Sequence, residues 1–261
     1  IGPEFKVIGG WDFAFDDDDP MDRISHGTHV AGIIAANGEL KGVAPDAKLL
    51  AYNVFQDNGQ AYEEDVLAAI EKAMDPDGDP NTDDAAHVMN LSLGSIRAED
   101  DPLERAVKKA MEAGITVVVS AGNNGDIFSV GSPASEATVL SVGAVDDEGK
   151  LANFSSMGPV YGLDATKPEI VAPGVQINST VLRNETASFD GTSMAAPHVA
   201  GAAALIKQRY PNLTSFQIKD LLVASAKNKE GNIYMDGAGE LDVFSATQKE
   251  LIISPSFINL G

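Results

Sequence analysis

The chain has 261 residues, of which 44% are hydrophobic and none is cysteine, and its 39 acidic and 18 basic residues give a net charge of −21. This length allows one large domain or two small ones with a well-buried core. The scattered basic residues and the negative charge disfavour nucleic acid and anionic membranes as partners. The lack of cysteine excludes a thiol nucleophile, a disulfide framework and cysteine-bound zinc.

Short β-branched runs alternate with helical patterns through most of the chain. "AKLLAYNVF" precedes "YEEDVLAAIEKAM", "AHVMNLSL" precedes "DPLERAVKKAMEAG", and "ITVVVSAG" and "ATVLSVGAV" follow. This order predicts an α/β fold with a parallel β-sheet flanked by helices. In the second helix, Asp101 is placed to cap, Pro102 to occupy the first turn and Gly114 to end it.

The last part of the chain changes character after two further helical patterns, "SMAAPHVAGAAALIKQR" and "TSFQIKDLLVASAK". The final stretch, "ELIISPSFINLG", alternates apolar and polar residues as a β segment does. We therefore expect a main domain over residues 1–245, and a linker or the start of a C-terminal β extension over residues 246–261. No apolar run is long enough to predict a membrane span.

Two histidines three residues apart, His26 and His29, stand at the start of an apolar helix in "RISHGTHVAG". Such a pair could bind zinc, but the metalloprotease helix has the pattern His-Glu-x-x-His, and no carboxylate separates these two. A structural histidine with its hydrogen bonds satisfied is the ordinary interpretation, which we keep for His29 and His87. His26 is a candidate general base.

A serine and an asparagine are the candidates for the remaining chemistry. Ser193 enters a helix of small residues in "FDGTSMAAPHVAG", where it is either a helix cap or a nucleophile beside unpaired backbone N–H groups. Asn123 follows an apolar strand in "VVVSAGNNG", where it is either part of a plain turn or a donor to an oxyanion.

Together and in this order, "HGTHVAG", "NLSLG", "SAGNNG", "SVGAV", "APGV" and "GTSMAAPHVAGAAAL" resemble the subtilisin-like serine proteases, or subtilases, over nearly the whole chain. The resemblance implies a three-layer α/β/α fold and a secreted or cell-envelope endopeptidase of the thermitase-like type that forms an acyl-enzyme. By this resemblance Ser193 is the nucleophile and His26 the general base. The oxyanion donors are the Asn123 side chain and the Ser193 backbone N–H.

The resemblance also implies where a peptide substrate binds. The segment Ser92–Gly94 corresponds to the edge that pairs with the substrate backbone as an added strand. Gly131 corresponds to the floor of the pocket for P1, the residue before the cleaved bond, which predicts large apolar side chains there. Asp22 lies near the neighbouring subsites and weakly favours basic residues in them. The implied substrate contacts are Ser92, Leu93, Gly94, Ser120, Gly122 and Gly131.

Two acidic loops are candidate calcium sites. Residues 75–84 place oxygen ligands at alternate positions, as calcium loops do, although a solvated acidic turn is the alternative. The ligands proposed there are Asp75, Asp77, Asp79, Asn81 and Asp83. Residues 11–22 resemble the calcium loop before the histidine of thermitase-like subtilases, with ligands at Asp12, Asp17 and Asp19. Phe15 replaces one carboxylate of that pattern. The loop "ANGELKGVAP" is too short for the strong calcium site of many subtilisins.

One family residue has no counterpart in this sequence. Subtilases carry an orienting aspartate before the histidine, in a motif like Asp-Thr-Gly, and neither "DTG" nor "DSG" occurs here. The acidic residues upstream of His26 match a calcium loop instead. The resemblance therefore implies that this carboxylate lies outside the 261 residues, in a longer protease with a propeptide.

Three functional hypotheses follow. The preferred one is a monomeric endopeptidase whose partners are peptide substrates and its own propeptide. The alternative is a catalytically silent binding or scaffold module with the same fold, which would have lost the aspartate. A lipase or esterase is disfavoured because "GTSMA" lacks the Gly-x-Ser-x-Gly pattern and because Ser193 follows His26 in the chain.

Overall fold

The computed structural model describes residues 2, 4–79, 84–97, 100–162, 165–228 and 231–248. Strands and helices alternate through most of this range. The elements are β1 (Val7–Asp12), α1 (His26–Ala35), β2 (Leu49–Asn53), α2 (Glu63–Met74), β3 (Val88–Leu91), α3 (Pro102–Glu112), β4 (Thr116–Ser120), β5 (Leu140–Val145), β6 (Ile170–Pro173), β7 (Ile177–Val181), β8 (Glu185–Phe189), α4 (Thr192–Arg209), α5 (Ser215–Ser225), α6 (Ile233–Asp236) and α7 (Val243–Gln248).

A four-stranded parallel sheet with the order β3-β4-β5-β6 forms the centre of the fold. β1 and β2 form a second, two-stranded parallel sheet, and β7 and β8 form an antiparallel hairpin. In the part of the chain that the structure describes, β2 and β3 each have one edge without a strand partner. The α/β class with a parallel sheet, predicted from the sequence, is confirmed.

The side chains of β4 point alternately into two hydrophobic cores, one on each face of the sheet. Val117 and Val119 pack on one face of the sheet with Val107 and Met111 of α3. Val118 points to the opposite face, into a core that α4 and α5 share. Because successive side chains of a strand point to opposite faces, a continuous apolar strand such as β4 needs helices on both sides.

The local signals of α3 are confirmed. The Asp101 side chain accepts hydrogen bonds from the N–H groups of Leu103 at 2.9 Å and Glu104 at 3.3 Å. Pro102 is the first residue of the helix, where its missing N–H costs nothing. The chain turns at Gly114, whose φ of 101° suits glycine.

The end of the described chain still packs on the main body. α7 contributes Ala246, which is fully buried in the core that α4 and α5 share. The boundary proposed at residue 246 thus falls within α7, and residues 249–261 lie outside the described residues. The division into two domains remains a prediction. Among the described helices, none is long and apolar enough to cross a membrane.

Candidate active site

Ser193 lies at the start of α4, where the chain enters the helix from Gly191. As the second residue of the helix, it has a backbone N–H that no helical carbonyl accepts. Its hydroxyl is 3.4 Å from the carbonyl oxygen of Ser92, and the Ser92 hydroxyl donates to the Ser193 carbonyl at 2.9 Å. The segment after β3 therefore contacts the candidate nucleophile directly.

Asn123 is oriented by Thr192, the residue before the candidate nucleophile. Its Oδ1 accepts from the backbone N–H and from the hydroxyl of Thr192, both at 2.9 Å. The Thr192 hydroxyl also accepts from the N–H of Gly122 at 3.2 Å. Because both bonds to Thr192 use the carbonyl end of the amide, the Nδ2 donor of Asn123 is directed elsewhere.

The atoms around Gly191 show where the Asn123 Nδ2 lies. A Cβ built on Gly191 would lie 3.6 Å from the Asn123 Nδ2 and 3.6 Å from the backbone nitrogen of Ser193. Two N–H donors therefore border one small space, which only a glycine with its φ of 152° leaves open. Paired donors around a vacant position are the geometry that stabilises an oxyanion.

His26 is the first residue of α1. The preceding Ser25 is left-handed, with φ of 70°, and its side chain does not cap the helix. Asp22 caps it instead, because its carboxylate accepts from the Thr28 N–H at 2.7 Å and hydroxyl at 2.6 Å and from the Ile24 N–H at 2.8 Å. The strained turn before His26 is held by a side chain four residues upstream.

The imidazole of His26 packs edge-on against the ring of Phe55, with centroids 5.5 Å apart and planes at 76°. Burial lowers the pKa of His26, and the charge of Asp22 opposes this by raising it. A lowered pKa keeps the imidazole neutral near pH 7, as a general base requires. Within the described residues no carboxylate is hydrogen-bonded to His26.

The other substrate residues predicted from the sequence lie along two neighbouring segments. Ser92 follows β3 and Ser120 ends β4, and the two strands are paired in parallel. A Cβ on Gly131 would lie 2.3 Å from the carbonyl oxygen of Ser95, because residues 95 and 132 form a bridge of two hydrogen bonds of 2.9 Å. Gly131 thus has a packing reason to be glycine, independent of any pocket.

Three carboxylates of the 75–84 loop converge. One ligand oxygen from each of Asp75, Asp77 and Asp84 lies within 4.8 Å of the others. Asp84 was not predicted, whereas Asp79 is not part of this group and instead gives its N–H to Asp77 at 2.8 Å. The predicted ligands Asn81 and Asp83 lie outside the described residues.

The loop after β1 shows a different feature. Asp12 is fully buried, and its Oδ1 accepts from Asn53 at 2.9 Å and from the Phe15 N–H at 3.0 Å, but its Oδ2 has no partner in the described chain. Asp17 pairs with Asp12 through backbone bonds, and its carboxylate accepts from the N–H of Asp19. These three do not form a close ligand cluster among the described residues.

Sequence reasoning missed three residues of this region. Thr192 was visible only as a neighbour of Ser193, and nothing in the motif shows that it orients Asn123 across 69 residues. Phe55 carries no motif, and Asp84 lies at the end of the acidic run, beyond the alternate positions that were counted. The signal for each is a tertiary contact.

A serine at a helix N-terminus and two converging N–H donors lie beside the carboxyl ends of parallel strands, and a histidine whose pKa is lowered by burial begins α1. These are the kinds of group that a serine hydrolase uses as nucleophile, oxyanion donors and base. The comparisons with known proteins make this class specific, because the subtilase family (peptidase S8) matches residues 5–239.

Individual relatives agree with the family match. Subtilisin DY from Bacillus licheniformis is 39% identical over 94% of this chain and 85% of its own length. The thermostable alkaline protease of Halalkalibacterium halodurans is 40% identical over 94% of this chain, which spans 64% of that protein. The crystal structure of a cold-adapted subtilisin-like serine proteinase matches with a TM-score of 0.75 and 30% identity, over 91% of this chain and 80% of that one. The chain belongs to the subtilase family of subtilisin-type serine endopeptidases.

Proposed function

We propose that the chain hydrolyses peptide bonds through an acyl-enzyme on Ser193. His26 takes the proton from the Ser193 hydroxyl as it attacks and returns it to the leaving amine, and water then releases the acyl group. The Asn123 Nδ2 and the Ser193 N–H stabilise the oxyanion. The observation that carries this proposal is the pair of donors at 3.6 Å from the open position beside Gly191.

The orienting carboxylate is assigned to a strand that pairs between β2 and β3. The carboxyl end of β2 leads to Phe55, which contacts His26, and that of β3 leads to Ser92, which contacts Ser193. A parallel strand paired with the edges of β2 and β3 that have no partner among the described residues would join the two sheets, with its end near Phe55 and Ser92. A carboxylate at its end would be placed to accept from His26.

A fluorophosphonate probe, which labels reactive serines, tests both the role of Ser193 and the proposed position of the orienting carboxylate. We expect labelling that Ser193→Ala abolishes and that the exposed control Ser188→Ala leaves unchanged. A chain extended upstream through its native sequence should label about 10⁴-fold faster than the 261-residue chain, the usual cost of a missing triad carboxylate. If neither folded chain is labelled, the silent binding module is correct.

The substrate segment Ser92–Gly94 is proposed to pair with a peptide backbone, and the pocket beside Ser120 and Gly122 to take large apolar P1 residues. The support for this preference is Gly131, which corresponds to the floor of the P1 pocket in the family and brings neither charge nor bulk to it. Peptide substrates that differ only at P1 test this. Phenylalanine and leucine should exceed lysine and glutamate in kcat/KM, and equal values for all four would contradict the preference.

Structural calcium is proposed at both acidic loops. The unpartnered, fully buried Asp12 Oδ2 fits a cation, because a buried carboxylate oxygen without a donor is otherwise costly. Burial, then the charges of Glu64 and Asp12, raise the pKa of Asp65, so negative charge accumulates there. Asp75, Asp77 and Asp84 offer three hard oxygen ligands, which suit calcium.

Thermal melts in chelator and in excess calcium test these sites. Binding to the folded chain raises Tm by mass action. Asp12→Asn and Asp84→Asn should each reduce the calcium-dependent increase, whereas the exposed control Asp147→Asn should not. A Tm that is the same in chelator and in calcium would remove both sites.

A further inference from the structure

His29 is fully buried on α1, one helical turn after His26, and it contacts both strands of the β7–β8 hairpin. Its Nε2 lies 3.0 Å from the carbonyl oxygen of Ile177 on β7 and 3.0 Å from that of Ala187 on β8. Its ring stacks on Phe189, with centroids 4.3 Å apart and planes at 14°. One imidazole thus joins the helix to both hairpin strands.

The two carbonyl contacts determine the protonation of this ring. Carbonyl oxygens only accept, so Nε2 must carry the hydrogen that both of them share. The Nδ1 atom is buried and has no partner in the described chain, so a proton there would be unpaired. Burial accordingly lowers the pKa of His29. The two carbonyl contacts and the lowered pKa both favour a neutral ring that donates through Nε2.

Hydrogen bonds around His29 hold the backbone of α1 close to β7. Ser179 donates its hydroxyl to the carbonyl of His29 at 2.7 Å, and Thr180 donates to the carbonyl of Thr28 at 2.9 Å. A Cβ on Gly32 would lie 2.2 Å from the Thr180 hydroxyl oxygen and 2.3 Å from that of Ser179. Only glycine allows this approach, so α1 and the hairpin meet along a closely fitted surface.

This surface connects the two candidate reacting groups. His26 begins the helix that carries His29, and β8 ends at Phe189, four residues before Ser193. Phe189 also packs, with Met194 beside the nucleophile, against Val30 of α1. Helix α1 therefore packs against both the hairpin and the start of α4, so its seat on the hairpin contributes to the position of His26 relative to Ser193.

We propose that His29 is a positioning residue of the active site, because its donation to both hairpin strands fixes the separation between His26 and Ser193. This inference rests on the proposed roles of those two residues. It assigns a purpose to the second histidine of "HGTH", for which a structural role was the expectation. His29 itself does not touch the substrate.

The test compares His29→Phe, which keeps a stacking ring without the donor, with His29→Gln, whose amide can donate to the same carbonyls. In the upstream-extended chain, His29→Phe should lower kcat by about 10²-fold with little change in KM, because a displacement of about 1 Å between reacting groups has that effect. His29→Gln should recover part of the loss. The exposed control His87→Phe should leave kcat unchanged.

The assays are run well below the Tm of each variant, with folding checked by circular dichroism. If folded His29→Phe keeps the parental kcat, or if only KM changes, the proposal is wrong. Crystal structures of the parent and His29→Phe give a second measurement that does not depend on activity. The distance from the His26 Nε2 to the Ser193 Oγ should increase in the variant, and an unchanged distance would overturn the proposal even if Ser193 proves unreactive.

Discussion

The nucleophile side and the base side of the active site are built in different ways. On the nucleophile side, Thr192 links Asn123 to Gly122, and Ser92 links β3 to α4, all through hydrogen bonds of 2.9–3.2 Å. On the base side, the imidazole of His26 contacts the ring of Phe55, and its helix is capped by Asp22. The surroundings of the proposed oxyanion donor Asn123 are fixed by hydrogen bonds, whereas the proposed base His26 is in a packed environment that lowers its pKa.

This difference predicts different consequences of mutation. A change on the nucleophile side should lower the maximal rate, because the donors stabilise charge that develops in the transition state. A change on the base side should move the pH dependence, because it alters the protonation of His26. The upstream-extended chain is the reference for each measurement below.

The largest effect is expected for Asn123→Ala, which removes a donor to the oxyanion. In subtilisin, a member of this family, losing the corresponding asparagine costs about 10²–10³ in kcat, and we expect a loss of the same order here. KM should change little. Because Asn123 also accepts from Thr192, Asn123→Asp is the informative partner, since it keeps the acceptor and loses the donor. If Asn123→Asp retains full kcat, the donor role is wrong.

A smaller loss is expected for Thr192→Val, which keeps the shape of this fully buried side chain but removes its hydroxyl. The Gly122 N–H then loses its acceptor and Asn123 loses one of two orienting bonds, which destabilises the fold by about 1–3 kcal/mol. We expect kcat to fall about tenfold, the kinetic equivalent of about 1.4 kcal/mol. Thr192→Ser keeps the hydroxyl and should keep both values, and equal losses in the two variants would contradict the hydrogen-bond argument.

Local sequence patterns predict Asn123 as a site residue, but they do not predict the role of Thr192. The alternating strands, the cap of α3 and the motifs around His26, Asn123 and Ser193 are local patterns. The structure places them in one α/β fold, with His26 at the start of α1, Asn123 after β4 and Ser193 at the start of α4. Thr192 acts across the fold, and no local pattern distinguishes its role from that of any buried threonine.

Gly131 and Asp84 illustrate the same limit. The sequence offers one explanation for a glycine at a pocket, but the 2.3 Å approach to Ser95 is a second reason that depends on how two distant segments pair. Counting alternate positions selected Asp79, although the path of the loop brings Asp84 to Asp75 and Asp77. The composition of the loop predicts that it is acidic. Which of its carboxylate oxygens lie close together depends on the path of the backbone.

On the base side, Phe55→Ala should shift the acid limb of kcat/KM to higher pH. Burial is the main cause of the lowered pKa of His26, and removing the packed ring admits water to the imidazole. The pKa then rises, so more of the base is protonated and inactive below neutral pH. Phe55→Leu preserves most of the burial and is the matched control. An acid limb that stays fixed in Phe55→Ala would show that Phe55 does not shield His26.

The smallest effect, of opposite sign, is expected for Asp22→Asn. The charge of Asp22 raises the pKa of His26 against the larger effect of burial, so removing it lowers that pKa and shifts the acid limb to lower pH. Asn keeps one oxygen acceptor for the cap of α1, and Asp18→Asn removes the same charge from an exposed position in the preceding loop. A shift of equal size in both variants would indicate a general effect of net charge. A shift to higher pH in Asp22→Asn would mean that the carboxylate acts on His26 mainly by capping its helix.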